Sequence, residues 1–293
     1  MVVKIAIANN KGGVGKSQFT VQLAAALARK QYRVLVVDMD PQANSSRRLG
    51  VAWNADEPTP TMSEVIKADQ EGVGESVVVA CGWVDAAGES TAEASLIDVL
   101  PARFDLINRE TEAGVVGAVR RLKKALIGWT DDYDVVLIDT RPDLGHLVQM
   151  SMAAADSIII PTDPNYDSVE AAVRVVDFVE KHGVDLGNPS LSISGVVVTR
   201  RKNTIEHDYQ LTGLKEQFGD LLWNLSGTVK FTDGSELFNP PYLPEWSRFA
   251  EADSAGASLS TWDDRSSRKT VALYDSVAAQ FTKRIIKAKE VAA

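Results

Sequence analysis

The run ANNKGGVGKSQF at residues 8–19 packs three glycines, two lysines and a serine into positions 11–17. It follows an apolar stretch and opens an amphipathic one. A loop between a strand and a helix can turn its backbone amides and the helix N-terminus onto phosphate oxygens. Gly12, Gly13 and Gly15, with Val14 among them, keep bulk off that backbone, and Lys16 is placed to neutralise β- and γ-phosphate charge. The Ser17 hydroxyl can ligate Mg²⁺. The usual pattern of such a loop begins with a glycine five residues before Gly15, where this chain has Asn10. Lys11, next to it, is one lysine more than the loop requires.

Two further stretches add carboxylates. VLVVDMDPQAN (34–44) puts Asp38 and Asp40 at the end of an apolar run, and YDVVLIDTRPDLG (133–145) does the same with Asp139. If both runs are parallel strands, these acids lie at the carboxyl edge of the sheet, where open α/β sheets bind ligands. One such aspartate is ordinarily a turn or helix cap. Three in step with a phosphate loop suit a site that holds Mg²⁺ through its waters and orients an attacking water.

The elements that must position these groups are legible as short β-branched runs alternating with helical segments, the pattern of a mostly parallel sheet covered on both faces. Strands are predicted at 2–8, 33–38, 95–101, 134–139, 157–161, 193–199 and, on a weaker pattern, 225–229. Helices are predicted near 16–30, 109–128, 165–182, 206–218 and 268–289. The fold class expected is therefore α/β, a three-layer twisted sheet, in a single domain over 1–293. Its least regular part is an acidic region at about 52–98, with a short helix around TMSEVIKA.

The quoted stretches, followed by AAADSIIIPT at 153–162, resemble the deviant Walker A P-loop ATPases of the ParA/MinD group, over nearly the whole chain and in that family's order. The resemblance implies ATP and Mg²⁺ as cofactors and a weak, partner-stimulated ATP hydrolase. It implies that Gly12, Gly13, Val14, Gly15, Lys16, Ser17 and Gln18 bind the nucleotide, that Ser17, Asp40 and Asp139 hold Mg²⁺, partly through water, with Asp38 in support, and that Asp40 also positions the attacking water. Lys11 would reach across a nucleotide-dependent homodimer to the phosphates held by the other subunit. A cation supplied in that way stabilises transition-state charge and couples ATP binding to dimerisation. Two positions depart from the family's pattern. Gln18 replaces a threonine whose hydroxyl touches the α-phosphate, and Arg141 replaces a proline, leaving phosphate, partner subunit or solvent open as its destination.

Composition narrows the choice of relative. Cys81 is the only cysteine, which excludes an internal disulfide and the cysteine-ligated clusters of the iron-protein branch. His146, His182 and His207 lack ligand-like spacing. No run approaches the ~18 apolar residues of a membrane span, so a cytoplasmic protein is expected. Net charge is −9, yet residues 54–98 alone hold ten acids against one base and the remainder is balanced. Residues 265–289 carry seven bases and one acid.

A MinD-like relative would end in an amphipathic membrane-binding helix. Here the C-terminal stripe of Val271, Tyr274, Val277, Phe281 and Ile285 has the spacing of ordinary core packing. Clustered bases favour the ParA-like branch, which binds DNA non-specifically: Arg200, Arg201, Lys202, Arg248, Arg265, Arg268 and Lys269 are the candidate phosphate contacts. The phosphate loop begins at about the tenth residue, so an N-terminal helix-turn-helix is not expected. The expectation is a short, Soj-like partition ATPase, nucleoid-associated and served by a ParB-like adaptor. The alternatives are a MinD-like membrane regulator and a nucleotide-gated binding protein with negligible turnover.

Overall fold

The computed structural model describes residues 2–53, 59–230, 236–246 and 248–292. Asp56 and Glu57 of the acidic region lie outside the described residues. Seven strands form one sheet: β1 Val3–Ile7, β2 Val34–Met39, β3 Val79–Ala80, β4 Ile97–Leu100, β5 Val135–Thr140, β6 Ser157–Thr162 and β7 Ser192–Val198, in the order β3-β4-β2-β5-β1-β6-β7. All neighbours are parallel except β3 against β4. β2, β5 and β6 are buried at every residue, which explains why they read as unbroken apolar runs instead of alternating ones.

Side chains alternate across this sheet into two cores. Val3, Ile5 and Ile7 of β1 join Val34, Val36 and Leu137 on one face, beneath helix α1 (Lys16–Arg29) through Phe19, Leu23 and Leu27. On the other face Ala6, Val37, Ile138 and Ile160 meet Leu147 and Met150. The α/β three-layer architecture is thus present. Its register fixes the chemistry, because Ile7 pairs with Asp139 and Asp139 pairs with Asp38. The end of β1, from which the glycine loop departs, therefore lies beside both aspartates.

Further helices are α2 Asn44–Arg48, α3 Met62–Ala68, α4 Arg121–Ala125, α5 His146–Ala154, α6 Tyr166–His182, α7 Ile205–Phe218, α8 Arg248–Ala255, α9 Arg265–Phe281 and α10 Lys287–Ala292. The long helix expected near 109–128 is not formed. Residues Phe104–Gly114 and Ala118–Arg120 are 3₁₀ turns, and only α4 is α-helical, because Gly117 sits in the left-handed region at φ +81° between them. The run at 225–229 does not join the main sheet. Gly227–Lys230 (β8) instead pairs antiparallel with β9, Glu236–Asn239.

The last helix starts earlier than expected, where Asp264 caps α9 by accepting from the Ser266 and Ser267 amides at 2.9 and 3.1 Å. It continues through a π-helical turn, Thr282–Ile286, into α10. The stripe of Tyr274, Val277, Phe281 and Ile285 is buried with α1 in the core. Among the described residues no helix is long and apolar enough to cross a membrane.

The described part of the acidic region is more regular than its composition suggests. Thr61 and Glu64 form a reciprocal capping box at the start of α3. Trp83 is 1% exposed and its indole donates to the Arg48 carbonyl at 2.7 Å, fastening this region to the end of α2. Cys81 is buried beside the Leu49 carbonyl, and burial pushes its thiol up to about 12, so it is an inert packing residue.

Candidate functional site

The glycine loop is held by its carbonyls. Thr199, directly after β7, donates its hydroxyl to the Val14 carbonyl at 2.7 Å, and the Arg200 guanidinium donates to that of Gly13. Because a peptide N–H points opposite its carbonyl, these contacts help fix the direction of the loop amides. Gly13 and Gly15 have φ of +81° and +84°, which a side chain would make costly. Gly12 lies against Pro142, with an added Cβ 3.8 Å from that ring.

A cavity of about 320 Å³ opens on this loop, lined among others by Gly12, Gly15, Lys16, Ser17, Gln18 and Asp40. Of the strand-end carboxylates only Asp40 lines it, while Asp38 and Asp139 are fully buried. Asp139 accepts from the Ser45 hydroxyl at 2.7 Å and from that of Ser17. Asp38 accepts from the Ser46 amide and hydroxyl at 2.9 and 2.7 Å and from the Asp40 amide at 3.1 Å. Asp40 accepts from the Gln42 amide at 2.9 Å. Ser45 and Ser46 were invisible as site residues in the sequence. The available signal was a serine pair one turn beyond a strand-end aspartate.

These acids are electrostatically unfinished. Burial pushes the Asp38 carboxyl up to about 7, the charge on Asp139 adds to this, and the bonds from Ser46 and Asp40 oppose it. Burial likewise raises Asp139, aided by Asp40 and opposed by Ser17, Ser45 and Lys16. Burial lowers Lys16 against the pull of Asp139, Asp40 and Asp143. The Lys16 ammonium is folded back on its own loop, donating to the Lys11 carbonyl at 3.0 Å. A cation at this edge would relieve the paired carboxylates, so the donor set fits Mg²⁺. Among the described residues no three carboxylate, His or Cys side chains hold a metal by themselves, and Ser17 with ligand oxygens would have to complete an octahedral shell.

The acid pair makes the stability of the ligand-free protein pH-dependent. A native-state carboxyl raised from 3.8 to about 7 retains a proton that the unfolded chain has released, so stability falls as pH rises through that window. Burial lowers His146 and His207, whose contribution runs the opposite way up to their ordinary 6.5. Thermal melts of wild type and Asp38→Asn between pH 4 and 7 isolate the pair. Wild type should lose more stability across the range than the variant, and parallel curves would show that the native pair holds no extra proton.

Lys11 is placed differently from the rest of the loop. It does not line the cavity, and its ammonium pairs with Asp167 at 3.0 Å on an exposed edge. Arg141, half-buried, pairs with Glu110 and Asp143 at 3.1 and 2.6 Å. Glu110 in turn accepts from the first amides of α5, at His146 and Leu147. Of the seven candidate phosphate-contacting bases, five are already paired with acids of the chain: Arg200 and Lys202 with Glu245, Arg201 with Asp208, Arg248 with Glu251 and Asp264, and Arg268 with Asp263. Arg265 is exposed and Lys269 half-buried.

A second cavity of about 570 Å³ adjoins the first, lined by Trp246, Phe249 and Tyr274 among others. A family model described as an AAA domain matches residues 2–193. The chain is 32% identical to the sporulation initiation inhibitor protein Soj of Bacillus subtilis, over 89% of this chain and 92% of that one. It is 35% identical to the chromosome partitioning protein ParA of Caulobacter vibrioides, over 82% and 86%. The chain belongs to the ParA-type P-loop ATPase family. Among solved structures, an ATP complex of a Cyanothece McdA variant superposes with a TM-score of 0.75 at 20% identity, covering 96% of each chain. That likeness in fold takes in the segment beyond the matched family model as well.

Proposed function

We propose that this single-domain chain is a Soj-like partition ATPase that binds ATP with Mg²⁺, closes as a sandwich homodimer, and in that state binds DNA without sequence preference. The observation that carries the reading is the division of labour between two lysines. Lys16, Ser17 and Asp40 line the cavity of their own chain, whereas Lys11 leaves it for an exposed edge, as a cation meant for a second subunit must. Gly12, Gly13, Val14, Gly15 and Gln18 contribute backbone amides to the phosphates. Ser17, Asp40 and Asp139 would hold the metal, partly through water, with Asp38 in support, and Asp40 would also orient the attacking water. Bound Mg²⁺ supplies charge neutralisation at the β- and γ-phosphates. The cavity beside Trp246, Phe249 and Tyr274 receives the base.

A ParB-like adaptor would stimulate a slow hydrolysis, and the dimer would associate with the nucleoid in the cytoplasm. Burial of the C-terminal stripe in the core favours this over a MinD-like membrane role, since those side chains already cover α1. A salt titration of DNA binding with and without MgATP tests the proposal. Binding should require ATP, show no sequence preference, and weaken by a factor on the order of 10³ between 50 and 200 mM salt if about six phosphates are neutralised. Lys11→Ala should remain monomeric in light scattering with a slowly hydrolysed ATP analogue. A wild type that stays monomeric under those conditions overturns the dimer, and a marked sequence preference overturns the non-specific DNA contact.

A further inference from the structure

Arg200 stands in the sequence with the bases expected to touch DNA, yet its side chain turns back onto the nucleotide loop. Its Nη1 donates to the Gly13 carbonyl, and its Nε and Nη2 hold Glu245 at 3.2 and 2.7 Å. Its Cδ lies 4.0 Å from where a Cβ on Gly15 would be. Its backbone has φ +52°, a left-handed conformation that costs a side-chain-bearing residue energy and that gathers at ligand sites.

The two cavities meet at a border formed by Gly15, Gln18, Arg48 and Arg200. On one side lies the phosphate loop, on the other the aromatic group of Trp246, Phe249 and Tyr274. A nucleotide with phosphates in the first and base in the second crosses that border at its α-phosphate and ribose. Gln18 brings an amide side chain to this border and no hydroxyl. A guanidinium already tethered to the loop is pre-organised there and can exchange the neutral Gly13 carbonyl for an anionic phosphate oxygen, a stronger charge-assisted bond.

We propose that Arg200 is a nucleotide ligand, gripping the α-phosphate end of the bound nucleotide with Glu245 holding its orientation, and is not part of a DNA surface. This rests on the nucleotide-site reading given above. The α-phosphate is common to ATP and ADP, so the contact is uniform: it strengthens binding of both nucleotides without changing the hydrolysis rate at saturation.

The test measures binding of fluorescent ATP and ADP analogues with Mg²⁺ to wild type, Arg200→Asn and Arg200→Lys, then DNA binding of each at saturating ATP. Asparagine tolerates the left-handed backbone, and lysine keeps the charge if the first variant does not fold. Both nucleotides should bind about tenfold or more weakly to Arg200→Asn, by similar factors, with an intermediate loss for Arg200→Lys. DNA affinity at saturating ATP should be unchanged. Unaltered nucleotide affinity with weakened DNA binding would overturn the proposal and return Arg200 to the DNA surface. A loss confined to ATP would overturn the α-phosphate assignment. A wild type that binds neither nucleotide would remove the nucleotide-site reading itself, and this inference with it.

Discussion

Lys16→Ala is expected to reduce ATP affinity by at least ~100-fold, the loss of two charge-assisted phosphate contacts of about 1.5–3 kcal/mol each. The side chain is well prepared for that role. It is 7% exposed, its charge is opposed by burial and supported by Asp139, Asp40 and Asp143, and its present partner is only the Lys11 carbonyl. Exchanging a neutral carbonyl for phosphate oxygens gains both charge and a shorter bond, so the ammonium should move to the ligand. Isothermal titration with MgATP measures the loss, and circular dichroism establishes that the variant is folded. Affinity within about threefold of wild type would remove Lys16 from the phosphate site, since one charge-assisted bond alone is worth more than that. Every ATP-dependent property, including dimerisation and DNA binding, should disappear with it.

Asp40→Ala should separate binding from hydrolysis. Asp40 accepts from the Gln42 amide at 2.9 Å and lines the cavity just beyond the end of β2. It supplies no backbone amide to the phosphates and is not the residue tied to Ser17, which is Asp139. Loss of a group that orients or deprotonates water typically costs about 10²–10⁴-fold in rate. The variant should therefore bind MgATP and dimerise as wild type does, while its phosphate release at saturating ATP falls by about 10² or more. Removing one carboxylate beside Asp139 also relieves repulsion, so nucleotide affinity should hold or tighten. Equal phosphate release in the two proteins would count against the role given to Asp40.

Strands buried on both faces were readable because they are continuous β-branched runs, and the loop between the first strand and α1 was readable because glycine spacing serves a backbone purpose. α5 was not foreseen. Nearly all of its residues, His146 through Ala154, are buried, so it shows no polar face and hence no helical period in the sequence. The helix expected near 109–128 failed for the opposite reason. Its apolar spacing was adequate locally, but Gly117 at φ +81° turns the chain. The antiparallel β8–β9 pair was missed although Asp233 and Gly234, a turn-forming dipeptide, stand between the two strands in the sequence.

By itself the sequence determined which groups could meet a triphosphate: the loop of residues 11–17, the aspartates at two strand ends and the doubled lysine, all local features of type and spacing. Tertiary structure alone decided their relations. Register between β2 and β5 set Asp38 beside Asp139, so that the charge on Asp139 helps to raise the Asp38 carboxyl. The turn after β7 brought Arg200 back over Gly13, nearly two hundred residues away along the chain. The fold as a whole also brought Arg141 to Glu110 and left Lys11 on the outside beside Asp167. Electrostatic contacts of this kind depend on distance through space, and a chain specifies that distance only once its sheet has assembled.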